Sequence, residues 1–218
     1  MKKAPGFLLH GWVKLYLWAA DLLYHSFAWT YDFVAALVSL GYWSEWRSAA
    51  LFYVLHGQIL EVGFGTGELL IEMVQRGYHC VGLELSGQMH RVANRKIIRL
   101  GIKAKRVRGR AQSLPFPDRV FTNVIATFPS NYIASEETLG EIHRVLGSAG
   151  RLVIVGLGVR YKSKIKQWLT GWFTGDWQGE MINFLAQKAE KKGFTARVIQ
   201  HQTPAYILPV LVLERNSD

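Results

Sequence analysis

Cysteine is nearly absent. One thiol, Cys80, in 218 residues excludes a disulfide framework and any metal site built on several cysteines, and it fits a reducing compartment. No metal ligand set is expected. Charged side chains are also few, 19% against 50% hydrophobic. That balance excludes a disordered chain and leaves apolar material for the core of one domain with an appendage. Long uncharged apolar runs are missing. Met1-Lys2-Lys3 resembles the start of a signal peptide, but His10 and Lys14 interrupt the run behind it and no small-residue cleavage site follows. Lys14, Asp21 and Asp32 cut the first segment into pieces shorter than the ~18 apolar residues a spanning helix needs. The expectation is a cytoplasmic protein with no secretion signal and no transmembrane helix. Internal repeats, low-complexity tracts and long linkers are lacking as well.

Acids are the scarcer charge, 16 against 26 Lys and Arg, for a net +10. The excess is local. Residues 91–120 carry ten Lys and Arg and a single acid, Asp118. Aromatics are uneven too: Trp12, Trp18, Trp29, Trp43 and Trp46 crowd the first 50 residues, and Trp168, Trp172 and Trp177 cluster late. On a helix, His10, Lys14, Asp21, His25 and Asp32 form one narrow polar stripe in an otherwise apolar surface. That surface needs cover: the domain's own core, a homodimer partner, or the interfacial zone of a bilayer. Residues 1–50 are therefore read as an aromatic helical cap and 51–218 as the main domain.

From residue 58 onward, strand and helix signals alternate. Strands are expected at 58–62, 79–84, 104–108, 120–127, 151–157, 194–200 and 205–214. Helices are expected at 67–76, 86–100, 135–146 and 179–192, with Ser86 and Ser135 as N-caps and Gly77, Gly101 and Gly193 as stops. This order predicts an α/β, Rossmann-like, doubly wound sheet of seven mostly parallel strands.

The informative stretch is Ile59-Leu-Glu61-Val-Gly63-Phe-Gly65-Thr-Gly67-Glu68-Leu69. Three glycines between a strand and a helix permit a tight turn and let a ligand rest on bare backbone. A dinucleotide turn would carry a further glycine where Glu68 stands, and a carboxylate there repels pyrophosphate. Glu61 instead attracts a cation. The next strand ends in Glu84, where an acid can accept both ribose hydroxyls. A nucleoside with an amino-acid tail and no phosphate fits this pattern: S-adenosylmethionine (SAM).

Four stretches then carry a resemblance: ILEVGFGTGEL (59–69), VGLELSGQM (81–89), GRAQSLPFPDRVFTNVIATFP (109–129) and EIHRVLGSAGRLVIV (141–155), with YDFVAALVSLGYWSEWR (31–47) upstream. The chain resembles class I SAM-dependent methyltransferases of the type 11 kind, similar to ubiquinone/menaquinone C-methyltransferases and small bacterial phospholipid N-methyltransferases. The resemblance implies that Gly63, Phe64, Gly65, Thr66 and Gly67 shape the methionine site, with Tyr31 on its carboxylate and Glu61 on its amino group. It implies Glu84 on the ribose, Leu85, Ala111 and Gln112 around the adenine, and Thr127 near the sulfonium. Two departures stand out: Arg110 where the family often has an acid, and Phe121-Thr122 where it often has Phe-Asp.

Methyl transfer from a sulfonium is an in-line displacement that needs alignment and exclusion of water more than a strong base. Tyr132 and His25 are the candidates for a catalytic role, set against packing for each; His143 reads as a surface residue. Basic and aromatic residues at 160–173, with Trp168 and Trp172 one turn apart, suit either a lid or an anionic headgroup zone. The leading expectation is a methyltransferase for a phospholipid amine or quinone-like ring, peripheral on the inner membrane face. The alternatives are a soluble small-molecule methyltransferase with a lid-like cap and a non-catalytic SAM-binding module. A nucleic-acid substrate is disfavoured, because no added nucleic-acid domain is recognisable and Thr127-Phe128-Pro129-Ser130 lacks a base-methylating tetrad.

Overall fold

The structure, a computed structural model, describes residues 39–166 and 177–217. Most of the expected cap, including His25 and Tyr31, lies outside these residues, as do Trp168 and Trp172 of the later insert. The described chain begins with a short helix, α1 (Trp43–Ser48), and a 3-10 turn at Ala49–Phe52. Strand and helix then alternate: β1 (Ile59–Val62), α2 (Glu68–Gln75), β2 (Cys80–Glu84), α3 (Gly87–Arg99), β3 (Lys105–Arg108), β4 (Phe121–Thr127), α4 (Glu136–Val145) and β5 (Leu146–Val155). A two-residue strand β6 (Arg160–Tyr161), α5 (Trp177–Glu190), β7 (Phe194–Gln202) and β8 (Tyr206–Arg215) complete it.

The sheet runs β3-β2-β1-β4-β5-β8-β6, with β7 also paired to β8. The first five are mutually parallel; β8 is antiparallel to β5, β6 and β7. The sheet therefore has eight strands where seven were expected. The extra one, β6, pairs Arg160 and Tyr161 with Ile207 and Tyr206, beyond the point where β5 leaves β8. Two residues are too few to leave a periodic signal. The fifth strand also starts earlier than expected. Gly147-Ser148-Ala149-Gly150 reads as a turn, and Ala149 does take a positive φ of 56°. Yet Leu146 pairs with Phe121 and Arg151 with Asn123, so the stretch is an irregularity inside the ladder.

Side chains alternate between the two faces. Val124, Ala126, Leu152 and Ile154 pack on one side with Leu139 and Ile142 of α4 and Ile182 and Leu185 of α5. Ile125, Val153 and Val155 pack on the other with Leu69, Leu70 and Met73 of α2 and Trp46 and Ala49–Leu51 beside α1. Both faces are buried, as a doubly wound parallel sheet requires. Strand order reverses between β1 and β4, and the crevice beyond their carboxyl ends is where such sheets take ligands. No helix among the described residues is long and apolar enough to cross a membrane.

Candidate functional site

The bend after β1 opens into that crevice. Gly63, Gly65 and Gly67 all have positive φ, at 75°, 54° and 84°. The first and third have no room for a side chain: a Cβ on Gly63 would sit 2.6 Å from the Tyr132 hydroxyl, and one on Gly67 would sit 2.9 Å from Ala93 on α3. Gly65 has nothing within 4 Å of a Cβ and so leaves its face open. The Gly63 amide donates to the Leu83 carbonyl at 2.7 Å, lashing the bend to β2. Gly67 begins α2 in the left-handed conformation, and Thr66 is buried beside it. Phe64 is buried over Gly82, edge-on to His90.

Glu84 ends β2 and is buried. One carboxylate oxygen accepts the Gly65 amide at 3.0 Å and the other accepts the Ser86 amide at 2.8 Å. Gly65 and Ser86 belong to two different hollows, so Glu84 stands at their junction. The outer hollow is lined by Leu85, Ser86, Gly87, Gln88, Arg91, Arg108 and Arg110. The inner one is lined by Trp43, Arg47, Glu61, Gly63, Phe64, Gly65, Thr66, Glu68, Thr127 and Phe128. An elongated ligand with one end in each hollow would pass over Glu84.

The inner hollow holds an acid and a guanidinium with unsatisfied atoms. Glu61 is 1% exposed, and its Oε2 has no hydrogen-bond partner. Burial pushes its carboxyl up to about 8; Arg47 pulls it down in part, while Glu84 and Glu72 push it further up. Arg47 lies 4.0 Å from Glu72, and its Nε has no partner either. An uncommitted carboxylate oxygen and an uncommitted guanidinium nitrogen in one hollow complement an α-amino acid, ammonium to Glu61 and carboxylate to Arg47. The residues therefore fit the methionine end of SAM, with the bare Gly63–Gly67 bend between. Arg47 was missed in the sequence. Its signal was available: Trp43 and Arg47 are four apart on α1, and both line the hollow.

Phe128 was missed as well. It follows Thr127 at the tip of β4 with a positive φ of 49°, unusual for a side chain of this size. Its ring stacks on Trp43 at 3.8 Å, and Gly156 leaves room for it, since a Cβ there would lie 2.3 Å away. Trp43 and Phe128 thus wall the inner hollow with aromatic faces. Glu68 lines it too, but it is paired with Lys96 of α3, so its charge repels an anion less than the sequence alone implies.

The remaining sequence candidates divide. Tyr132 sits behind Gly63 and donates its hydroxyl to the Val62 carbonyl at 3.0 Å. Leu85 is exposed at the outer hollow, Ala111 is buried and Gln112 exposed. His143 is half-buried, edge-on to Phe194 and close to Gly193, because α4 packs against the start of β7. Thr122, where the family often has Asp, fills the space left by Gly57. Cys80 is buried and its thiol is pushed up to about 11, chiefly by burial, so it stays protonated at neutral pH. No group of His, Cys, Asp and Glu suited to a metal occurs among the described residues.

Comparison with known proteins agrees with this geometry. Residues 59–150 match the family model described as a methyltransferase domain. The chain is 34% identical over 131 residues to a demethylmenaquinone methyltransferase of Thermus thermophilus, covering 57% of this chain and 60% of that protein. It is 29% identical over 147 residues to a ubiquinone/menaquinone biosynthesis C-methyltransferase of Geotalea daltonii, covering 61% of this chain and 60% of that one. The chain thus spans about three fifths of these relatives. Among solved structures it resembles a phosphoethanolamine N-methyltransferase of Haemonchus contortus in complex with SAM, with a TM-score of 0.61, 14% identity, and 90% of this chain and 60% of that one covered. The chain resembles class I SAM-dependent methyltransferases in sequence, and its fold is theirs.

Proposed function

We propose that this protein is a SAM-dependent methyltransferase that methylates the ring of a hydrophobic, quinol-like acceptor at a membrane surface, releasing S-adenosylhomocysteine. The observation that carries the reading is the inner hollow, where Glu61 Oε2 and Arg47 Nε, both buried and unpartnered, flank a glycine bend that leaves backbone open to a ligand. SAM, when bound, supplies an activated methyl group. Glu61 holds its ammonium, Arg47 and Tyr31 its carboxylate, and Glu84 its ribose hydroxyls. Leu85, Ala111 and Gln112 border the adenine. Trp43 and Phe128 present π-faces beside Thr127, where they exclude water and tolerate dispersed positive charge. With SAM bound, a ring carbon of the acceptor would take the methyl group as S-adenosylhomocysteine leaves, and the ring proton would pass to water.

The names of the sequence relatives support a quinone-type ring over a phospholipid amine, and the stacked Trp43–Phe128 wall suits a planar ring. Residues 1–50 are proposed as the cap over the domain 51–218, with α1 already delivering Trp43 and Arg47 to the hollow. His25 is proposed on the acceptor side. Tyr132 is proposed as a residue that positions Gly63.

The test is incubation with methyl-labelled SAM and a reduced demethylmenaquinone, beside a total lipid extract. The reading expects label on the quinone ring. Label confined to phospholipid amines would replace the acceptor, and SAM binding without any labelled product would make the protein a binding module.

A further inference from the structure

We infer that the outer face of α3 and the adjoining edge strand β3 form a docking surface for an anionic lipid bilayer, a partner that deepens the membrane-surface reading above and rests on it. Arg91, Arg95, Ile98 and Arg99 recur at helical spacing on α3 and are all exposed. Lys103 and Lys105 continue the exposed surface through the turn into β3. The strand and helix are fastened to each other. Arg106 on β3 donates to Asn94 Oδ1 on α3 at 2.8 Å, and the Arg108 guanidinium lies against Gly87 at the start of α3. Lys96 is paired with Glu68, but Arg91, Arg95, Arg99, Lys103 and Lys105 have no acid within ion-pair distance among the described residues.

Guarding an edge strand explains a charge or two on the strand itself. It does not explain unneutralised arginines along a helix. A purely solvated helix face does not explain Ile98 either. This side chain is 69% exposed in the midst of the arginines, with Leu100 exposed beside it. Cations around protruding aliphatic side chains match an anionic headgroup layer over acyl chains. Single-stranded RNA is the other polyanion to weigh. Its binding sites stack bases on aromatic rings, and no aromatic residue occurs between Arg91 and Pro115.

The experiment is co-sedimentation of the full chain with vesicles of phosphatidylglycerol and phosphatidylcholine, and with phosphatidylcholine alone, at low and high salt. Binding to the anionic vesicles that high salt abolishes is expected. Each neutralised cation weakens an anionic-surface contact roughly five-fold, so the variant R95Q/R99Q/K103Q/K105Q is expected to bind at least about a hundred-fold more weakly. I98S is expected to bind several-fold more weakly with the salt response kept. Affinity for S-adenosylhomocysteine should be unchanged in both variants, which checks that they fold. Variants that bind like the parent, equal binding to phosphatidylcholine alone, or a stronger charge-dependent attachment to oligouridylate would each overturn the inference. Vesicle binding lost in the variants, in a parent that binds no S-adenosylhomocysteine, would uphold the docking surface and strike the methyltransferase reading instead.

Discussion

Glu61 carries the sharpest consequence of the site's chemistry. Its carboxyl is pushed up to about 8, chiefly by burial, above the ordinary unfolded value of about 4.3. A raised acid favours the folded state at low pH. That contribution is complete below about 4 and fades as pH rises through about 8. An ammonium beside Glu61 reverses the preference and expels the proton. SAM affinity is therefore expected to rise between pH 6 and 8, with proton release visible in calorimetry across buffers of different ionisation enthalpy. A flat profile would contradict the assignment. Arg47→Met should weaken SAM binding roughly 10- to 100-fold, since a charge-assisted hydrogen bond contributes about 1.5–3 kcal/mol. Urea midpoints would check that folding is kept. Gly63→Ala should cost more than the strain of a positive φ alone, because its Cβ meets the Tyr132 hydroxyl. Adding Tyr132→Phe should restore part of the affinity. Tyr132→Phe alone should change the KM for SAM and spare kcat, as befits a positioning residue. Glu61, Glu84 and the three glycines were readable in the sequence because their spacing is local to two strand ends. Arg47 and Phe128 were not, because their role arises only when α1 and the tip of β4 meet.

Elements show the same division. Four of the parallel strands, β1, β2, β4 and β5, could be read because each carries a short apolar run buried on both faces; β3, the exposed basic edge, could be read only from its place in the strand–helix alternation. β6 and the onset of β5 could not, because pairing with β8 and β4 decides them against local turn chemistry. The loop before β1 is held by Asn123 of β4, which is fully buried and exchanges two 2.8 Å hydrogen bonds with the Leu55 backbone. Asn123→Ala should cost roughly 2–4 kcal/mol by leaving both groups unsatisfied, measured as a lower urea midpoint with unchanged slope. The loop between β3 and β4, which carries Ala111 and Gln112, is tied to α4 through Arg144. That guanidinium bonds Glu141, Asp118 and the carbonyls of Leu114 and Phe116. Its hydrogen bonds hold the Glu141 carboxyl below the ordinary range. A depressed acid stabilises the fold above its unfolded pKa and loses that effect as pH falls through the folded value. Arg144→Ala should flatten the acid limb of the stability profile, and thermal melts from pH 7 to 3 would show it.

The molecule as a whole puts two hollows on either side of one buried carboxylate. The inner hollow presents an acid and a guanidinium with unsatisfied atoms, and the outer one lies against Leu85 and three arginines. Strand order reverses between β1 and β4, at the inner hollow, and the crevice there gives an elongated, zwitterion-tailed nucleoside a place to lie. A phosphate-bearing dinucleotide would instead bring its pyrophosphate against Glu61, with Glu68 beside it already paired to Lys96. Titration calorimetry with S-adenosylhomocysteine and, separately, with NADH puts this claim to the most direct test. The account predicts saturable binding of the first, markedly weakened in Glu61→Gln and Arg47→Met, and no binding of the second. Tight binding of NADH with no heat from S-adenosylhomocysteine would contradict it.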